Sequence, residues 1–394
     1  MENKKIPEVS IGTFGHVDHG KTTLVEALSG RRTDAHSEEK KRGITIRLGY
    51  ADATFYKCPK CSEFPYASSG TCPKCLSQCD AIRTVSFVDA PGHETLMATV
   101  LSGSSIVDGA LLLIDAKEGI MEQTKEHLQV LNIAGISKVV IVQNKIDLVS
   151  ENEAAKNFDE IKQMVRGSVA ENAPIIPVSA QQGINMDALI CAIEEHIPTP
   201  QRDQSKEPLF YIARSFDVNV PGTKPDLLRG GVVGGSLVQG VLKKGDEVEI
   251  KAGAYVEGKW KPLKTKVVGI KEAGQDLEEC RPGGLAGIMT ELDPFLTKSD
   301  SVAGNVMGIS GSLPEAVFEI SLKYKLIISS ELKRDESMMV TCGVARTVGT
   351  ITEISKEKVA IKLKIPVCAK KGQRAVLSKQ IGGIWHLIGY GDIM

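Results

Sequence analysis

The chain lacks any apolar run approaching the ~20 residues of a membrane span, and Ala110 to Ile114 is long enough only for a buried strand. Its N-terminus, Met-Glu-Asn-Lys-Lys, lacks the apolar core of a signal peptide. The expectation is a cytoplasmic protein with no membrane partner. An excess of charge is missing too: 48 Lys and Arg face 49 Asp and Glu. Any nucleic-acid contact must therefore come from local patches. Residues 313–394 hold thirteen Lys/Arg against eight Asp/Glu, a mild excess that mostly describes a solvated face. The nine cysteines are odd in number, which suits a reducing compartment better than a disulfide framework. Internal repeats and low-complexity tracts are absent.

What is present begins with Gly15-His16-Val17-Asp18-His19-Gly20-Lys21-Thr22, which reads G-x-x-x-x-G-K-T. An apolar run with Val9, Ile11 and Phe14 precedes it, and Thr23 to Leu28 has helix-forming composition. Strand, glycine loop and helix form the context of a phosphate-binding loop. Gly15 and Gly20 free the backbone so that several N–H groups can point at one anion. The helix N-terminus adds a favourable partial charge. Lys21 can reach the β- and γ-phosphates, and Thr22 can offer its hydroxyl to Mg²⁺.

At 394 residues, two or three domains are expected. Up to about residue 200, strand candidates (Val85–Val88, Ala110–Ile114, Val139–Val142, Ile175–Val178) alternate with helical patterns. The helical stretches are Glu94–Leu101, Thr124–Ala134, Glu153–Val165 and Met186–Glu195. This predicts a mostly parallel sheet covered on both faces by helices, with ligands at the carboxyl ends of the strands. Pro198 and Pro200 mark a boundary. Beyond it glycines and turns such as Arg281-Pro282-Gly283-Gly284 punctuate short strands. The expected organisation is residues 1–203 as an α/β P-loop nucleotide-binding domain, then two all-β barrel domains, 207–312 and 313–394. In the last, Val359, Ile361, Leu363, Ile365 and Val367 alternate as a strand with one buried face.

Three further motifs each follow a strand candidate. Asp89-Ala90-Pro91-Gly92 can hold a Mg²⁺ shell through Asp89 and bring the Gly92 N–H to a γ-phosphate. Asn144-Lys145-Ile146-Asp147 can select guanine, because the Asp147 carboxylate accepts from two neighbouring base donors that adenine lacks. Ser179-Ala180-Gln181 can offer a backbone N–H to guanine O6. Between the first two motifs, Arg42-Gly43-Ile44-Thr45-Ile46 can place Thr45 on Mg²⁺ and the γ-phosphate, a contact that exists only with the triphosphate. Gly15, Asp18, His19, Gly20, Lys21, Thr22, Thr23, Thr45, Asp89, Gly92, Asn144, Lys145, Asp147, Ser179, Ala180 and Gln181 are thus the expected GTP-binding residues. GTP or GDP and Mg²⁺ are the expected cofactors.

Cys58-x-x-Cys61 and Cys72-x-x-Cys75 form two knuckles with the spacing of a zinc ribbon, spanning about 56–80. Four thiolates close a structural Zn²⁺ site. Cys79 is spare, and Cys191, Cys280, Cys342 and Cys368 read as ordinary buried cysteines.

The phosphate-loop sequence through Leu24, with Arg42 to Ile46 and Asp89 to His93, resembles the translational GTPases. A GTPase domain followed by two barrels resembles the elongation-factor-Tu class. Lys41 to Ala51, Asp89 to Met97, the cysteine cluster and Arg214-Ser215-Phe216-Asp217-Val218-Asn219 resemble the gamma subunit of archaeal and eukaryotic initiation factor 2. The resemblance covers essentially the whole chain, which looks short at both ends and so closer to an archaeal form. It implies a GTPase that carries initiator methionyl-tRNA to the small ribosomal subunit as the core of a heterotrimer with alpha and beta subunits. It also implies that catalytic His93 positions the attacking water behind an apolar gate of Val17 and Ile44. Asp18 and the Gly43 carbonyl would bind a second Mg²⁺, beside Thr22 and Thr45 on the first. An elongation factor for selenocysteine and a metabolic enzyme with a regulatory GTPase domain are the alternatives. The cysteine knuckles and the Arg214 segment count against the first, and the lack of a second catalytic constellation after residue 203 counts against the other.

Overall fold

Residues 109–115 read Gly-Ala-Leu-Leu-Leu-Ile-Asp, and all seven are buried. A strand apolar on both sides must lie in the middle of a covered parallel sheet. The structure, a computed structural model, describes residues 5–33, 48–93, 96–328 and 331–394. The chain divides into two units, Met1–Pro200 and Gln201–Met394.

The strands of the first unit are β1 (Val9–Gly15), β2 (Gly49–Lys57), β3 (Tyr66–Ala67), β4 (Asp80–Asp89), β5 (Gly109–Asp115), β6 (Val139–Asn144) and β7 (Ile175–Pro177). They lie in the order β3-β2-β4-β1-β5-β6-β7. The pairs β1–β4, β1–β5, β5–β6 and β6–β7 are parallel; β2 runs antiparallel to β4, and β3 to β2. The chain switches sides of β1 after β4, so the crevice at the carboxyl ends opens there. The described helices are α1 (Lys21–Ser29), α2 (Met97–Ser104), α3 (Glu122–Ala134), α4 (Glu151–Met164) and α5 (Met186–His196). Ile11, Leu24, Phe87, Leu111, Val140 and Ile193 meet in one core cluster under them.

Helix α2 departs from the expected Glu94–Leu101. It continues through Ser102, Gly103 and Ser104, all buried, while Glu94 and Thr95 lie outside the described residues. Serine and glycine have poor helix propensity, but packing overrides it here. A Cβ at Gly103 would come within 2.8 Å of the Leu48 Cδ2, so a larger residue there requires the end of that side chain to shift.

The second unit holds two antiparallel barrels. The first contains β8 (Leu209–Phe216), β9 (Val232–Gln239), β10 (Leu242–Lys243), β11 (Glu247–Val256), β12 (Lys259–Glu272), β13 (Gln275–Leu277), β14 (Glu279–Cys280), β15 (Ala286–Thr290) and β16 (Val306–Ile309). The order β11-β16-β8-β9-β15-β12 closes through β11–β12 pairing. Phe210, Val233, Ile250, Val267 and Ile288 fill it. The second barrel is closed in the order β17 (Ala316–Leu326), β20 (Lys358–Cys368), β19 (Ala345–Ile354), β18 (Ser337–Cys342), β21 (Arg374–Ile381) and β22 (Ile384–Ile393). Lys251, buried on β11, reaches Glu315 at 2.9 Å and the Leu313 carbonyl at 3.4 Å at the start of the second barrel.

The alternation expected along β20 breaks at Ile365, which is 38% exposed. The β17 register jumps from Val317↔Val367 to Glu319↔Lys362, so β20 bulges in between, beside Pro366. The Ile365 N–H donates to the Thr347 hydroxyl at 2.9 Å. Cys280 and Cys342 are buried as expected, but Cys191 and Cys368 are only half-buried.

Candidate functional site

The loop after β1 turns into α1 through three residues at positive φ: Gly15 (138°), Asp18 (62°) and Gly20 (91°). Such a loop lets successive N–H groups converge on an anion. Lys21 is buried, and its ammonium donates to the Gly15 carbonyl at 2.9 Å and the His16 carbonyl at 2.6 Å. Burial pushes its pKa down to about 8, against the pull of Asp89 and Asp18. A phosphate is the anion that this loop and a buried ammonium together accept. Gly92, after β4, lies against the same loop. A Cβ there would strike the Lys21 ammonium and come within 2.8 Å of the Val17 nitrogen. Thr23, the third residue of α1, is half-buried behind Thr22.

Three hydroxyls converge on Asp89, the buried last residue of β4. Thr13 donates to Oδ1 at 2.8 Å, while Thr22 and Thr33 donate to Oδ2 at 2.7 and 2.6 Å. A carboxylate and hydroxyl oxygens, with no sulfur or imidazole among them, form a hard donor set that fits Mg²⁺. Asp18 is exposed on the loop. Gly43, Ile44 and Thr45 lie outside the described residues.

Histidines surround the loop. The rings of His16 and His19 are 5.1 Å apart. His19 is buried; burial pushes its pKa down to about 4, although Nδ1 lies 3.3 Å from the Leu113 carbonyl. The pKa of His16 is also lowered, first by burial, then by Lys21, with a smaller contribution from His93. His93 is thus within electrostatic reach of the phosphate loop.

At the other end of the crevice, Asn144 ties three segments together. Its amide donates to the His19 carbonyl at 2.9 Å and accepts the Ala180 N–H at 3.1 Å. Lys145, at φ 60°, sets its ammonium 2.6 Å from Asp115 at the end of β5. Burial alone would raise the Asp115 carboxyl, but Lys145 and the N–H groups of Lys117 and Glu118 outweigh it and hold its pKa low. Asp147 is exposed in the turn Ile146–Leu148, and its carboxylate has no partner among the described residues. Ser179 gives its N–H to the Ile184 carbonyl, and its hydroxyl accepts from Gln182 N–H at 3.3 Å. The Gln181 N–H has no partner among the described residues. The ends of β1, β4, β5 and β6 and the turn after β7 thus deliver every described nucleotide-site candidate to one edge of the sheet.

The sequence reading missed three of these residues. Thr13 and Thr33 carry no motif. His127, on α3, is fully buried and accepts the Gly15 N–H through Nδ1 at 2.7 Å. Its proton therefore sits on Nε2, and burial pushes its pKa down to about 3. The one sequence signal was a polar residue inside the apolar stripe of 124–134.

The cysteine knuckles extend from the β2–β4 pair. The Cys58–Cys75 sulfurs are 3.5 Å apart, with Cys61–Cys72 and Cys61–Cys75 at 3.7 Å. All four sulfurs lie within 4.8 Å of one another. A tetrahedron with ~2.3 Å Zn–S bonds needs sulfurs about 3.8 Å apart, so the cluster fits Zn²⁺. Leu76 and Phe64, at φ 58° and 42°, turn the chain at the knuckles. Lys74 reaches from the second knuckle to Asp187 of α5 at 2.5 Å. Cys79 is buried beside the cluster.

A phosphate loop, a guanine-type turn and a carboxylate–hydroxyl magnesium set on one doubly wound sheet define a guanine-nucleotide GTPase. Residues 7–199 match the family model "Elongation factor Tu GTP binding domain", and residues 308–393 match "Initiation factor eIF2 gamma, C terminal". Translation initiation factor 2 subunit gamma of Archaeoglobus fulgidus is 53% identical, covering 100% of this chain and 96% of its own. The same-named protein of Methanocaldococcus jannaschii is 51% identical over 99% and 98%. Among solved structures, bacterial selenocysteine-specific elongation factor EF-Sec gives a TM-score of 0.76 at 26% identity, covering 98% of this chain and 58% of that one. Elongation factor SelB of Methanococcus maripaludis, with a GTP analogue, gives 0.74 at 22% identity, over 99% and 80%. The chain belongs to the translation initiation factor 2 subunit gamma family. It is a translation-initiation GTPase, and no described helix is long and apolar enough to cross a membrane.

Proposed function

We propose that this chain uses GTP as a switch for carrying initiator methionyl-tRNA to the small ribosomal subunit. It does so in the cytoplasm as the core of a complex with alpha and beta subunits. The observation that carries the reading is the joining of a GTPase crevice and the initiation-factor C-terminal barrel in one chain, with relatives named as a subunit across the full length. Residues 207–312 and 313–394 serve as separate domains in this reading.

The loop from Gly15 to Thr22, with Asp18, His19 and Gly20, wraps the phosphates; Lys21 neutralises the β- and γ-groups, and Thr23 offers hydrogen-bond donors on the α-phosphate side. Bound Mg²⁺ supplies charge neutralisation at the phosphates. Thr22 and Thr45 would hold it directly, with Asp89 behind, and Asp18 and the Gly43 carbonyl would hold a second. The Gly92 N–H and Thr45 meet the γ-phosphate and order the switches only in the triphosphate state. His93 orients the water, shielded by Val17 and Ile44. Asn144 braces the base pocket, the Lys145 stem flanks the base, Asp147 accepts from guanine, and the Ser179-Ala180-Gln181 turn offers its free N–H. Zn²⁺ at Cys58, Cys61, Cys72 and Cys75 is structural. The test reconstitutes the chain with alpha and beta subunits and measures retention of charged initiator tRNA on small ribosomal subunits. Retention with a GTP analogue and loss with GDP is expected; equal retention with both rejects the reading.

A further inference from the structure

The β11–β12 hairpin extends beyond the β11–β16 pairing of the first barrel, with a register shift between Ile250 and Ala254 at its base. Val256 pairs with Lys259 across the two-residue turn Glu257-Gly258, whose φ angles are 53° and 78°. Two central residues at positive φ make the turn that matches strand twist. Lys261 and Glu257 pair at 2.6 Å across it. At the base, the Gly253 N–H donates to the Asn305 side chain at 2.7 Å.

On this arm Tyr255 and Trp260 sit directly opposite each other, with ring centroids 5.8 Å apart. Such a pair helps hold a hairpin together. That role needs no exposure, yet Tyr255 is 64% exposed and Trp260 is half-buried. Lysines flank the rings. Leu263 of β12 packs on the barrel core, so Trp260 and Lys264 share the outward face. Lys259 and Lys264 are exposed and have no ion-pair partner among the described residues. Residues 251–266 carry five lysines and one glutamate. Of the five, Lys251 is neutralised by Glu249 and Glu315, and Lys266 lies opposite Glu247 and beside Glu291. Lys261 is paired with Glu257, which leaves Lys259 and Lys264 as the cations beside the two rings, Lys264 across the strand pair from Glu249.

We propose that this hairpin is a docking surface for single-stranded RNA, with bases stacking on Tyr255 and Trp260 and phosphates meeting Lys259 and Lys264. Exposed rings beside unpaired cations are what a flexible polyanion with π-faces recognises. An apolar protein partner would leave the lysines unpaired, and a duplex would leave the rings unstacked. The surface lies wholly in the first barrel and does not rest on the proposed tRNA role.

The chain has two tryptophans, so Trp385→Phe leaves Trp260 as the sole indole reporter. The probe is an oligouridylate of about 12 nucleotides, within the usual site size. Saturable quenching of Trp260 is expected. Tyr255→Ala should weaken binding, read by anisotropy of the labelled RNA, by about tenfold. Lys259→Gln with Lys264→Gln should lower the slope of log affinity on log salt by about 1.4. Thermal melting confirms that each variant folds. Absence of quenching, unchanged affinity in Tyr255→Ala, or an RNA duplex bound as tightly without quenching overturns the proposal.

Discussion

Asp147 offers the sharpest test among single residues, because its carboxylate is exposed and unengaged among the described residues. Asp147→Asn turns one acceptor into a donor, so it should lose roughly 100-fold or more in preference for guanine and gain affinity for xanthine nucleotides. Competition binding with GTP and XTP checks this; unchanged discrimination removes Asp147 from base selection. His127 calls for a different comparison. His127→Phe keeps the ring but strands the Gly15 N–H, which costs about 1–3 kcal/mol. His127→Asn can restore an acceptor near Nδ1. Nucleotide should therefore dissociate faster from the Phe variant than from the Asn variant; equal rates would make the contact incidental. Burial also makes acid costly. The pKa values of His127 and His19 are depressed to about 3 and about 4 from 6.5. Their contribution to stability is complete above pH 6.5 and is lost as pH falls toward 4 and then 3, because the unfolded chain takes up protons that the folded chain refuses. The melting temperature should drop across that window, and less so in His127→Asn; parallel profiles would contradict the role given to His127. Motif residues were legible in the sequence because a loop encodes its chemistry within a few positions. Thr13, Thr33 and His127 were not, since folding brings them to the loop or to Asp89 from as far as 112 residues away.

Elements were legible where one pattern governs a whole segment. β5 read as buried from its unbroken apolar run, and α3 and α5 from their periodicity. Failures came where packing between elements decided the outcome. Helix α2 runs on through Ser102, Gly103 and Ser104, and the β20 bulge turns Ile365 outward, and neither is written in local propensity. With the proposed Zn²⁺ bound, the cysteine ribbon would draw its stability largely from that metal. Chelation should speed amide exchange in residues 58–75 while leaving β5, β6 and the rest of the sheet protected. Hydrogen exchange with and without chelator measures this. Loss of protection throughout the first unit would mean the cluster holds more than its own insertion. Lys74, paired with Asp187 on α5, marks where any wider loosening should begin.

At the scale of the whole molecule, the proposed function makes one bond, the γ-phosphate bond, decide whether the chain holds charged initiator tRNA. Gly92 lies against the phosphate loop, and Asp89 gathers three hydroxyls beside it. Backbone contacts to RNA must come from local Lys and Arg, because the net charge is −1. Affinity should therefore fall with salt, and comparisons need fixed ionic strength. The most direct measurement is protection of the methionyl ester of initiator tRNA from hydrolysis, using the chain reconstituted with the proposed alpha and beta subunits. Strong protection with a GTP analogue and little with GDP is the predicted result. Equal protection with both nucleotides would contradict the switch, and none with either would contradict the carrier role.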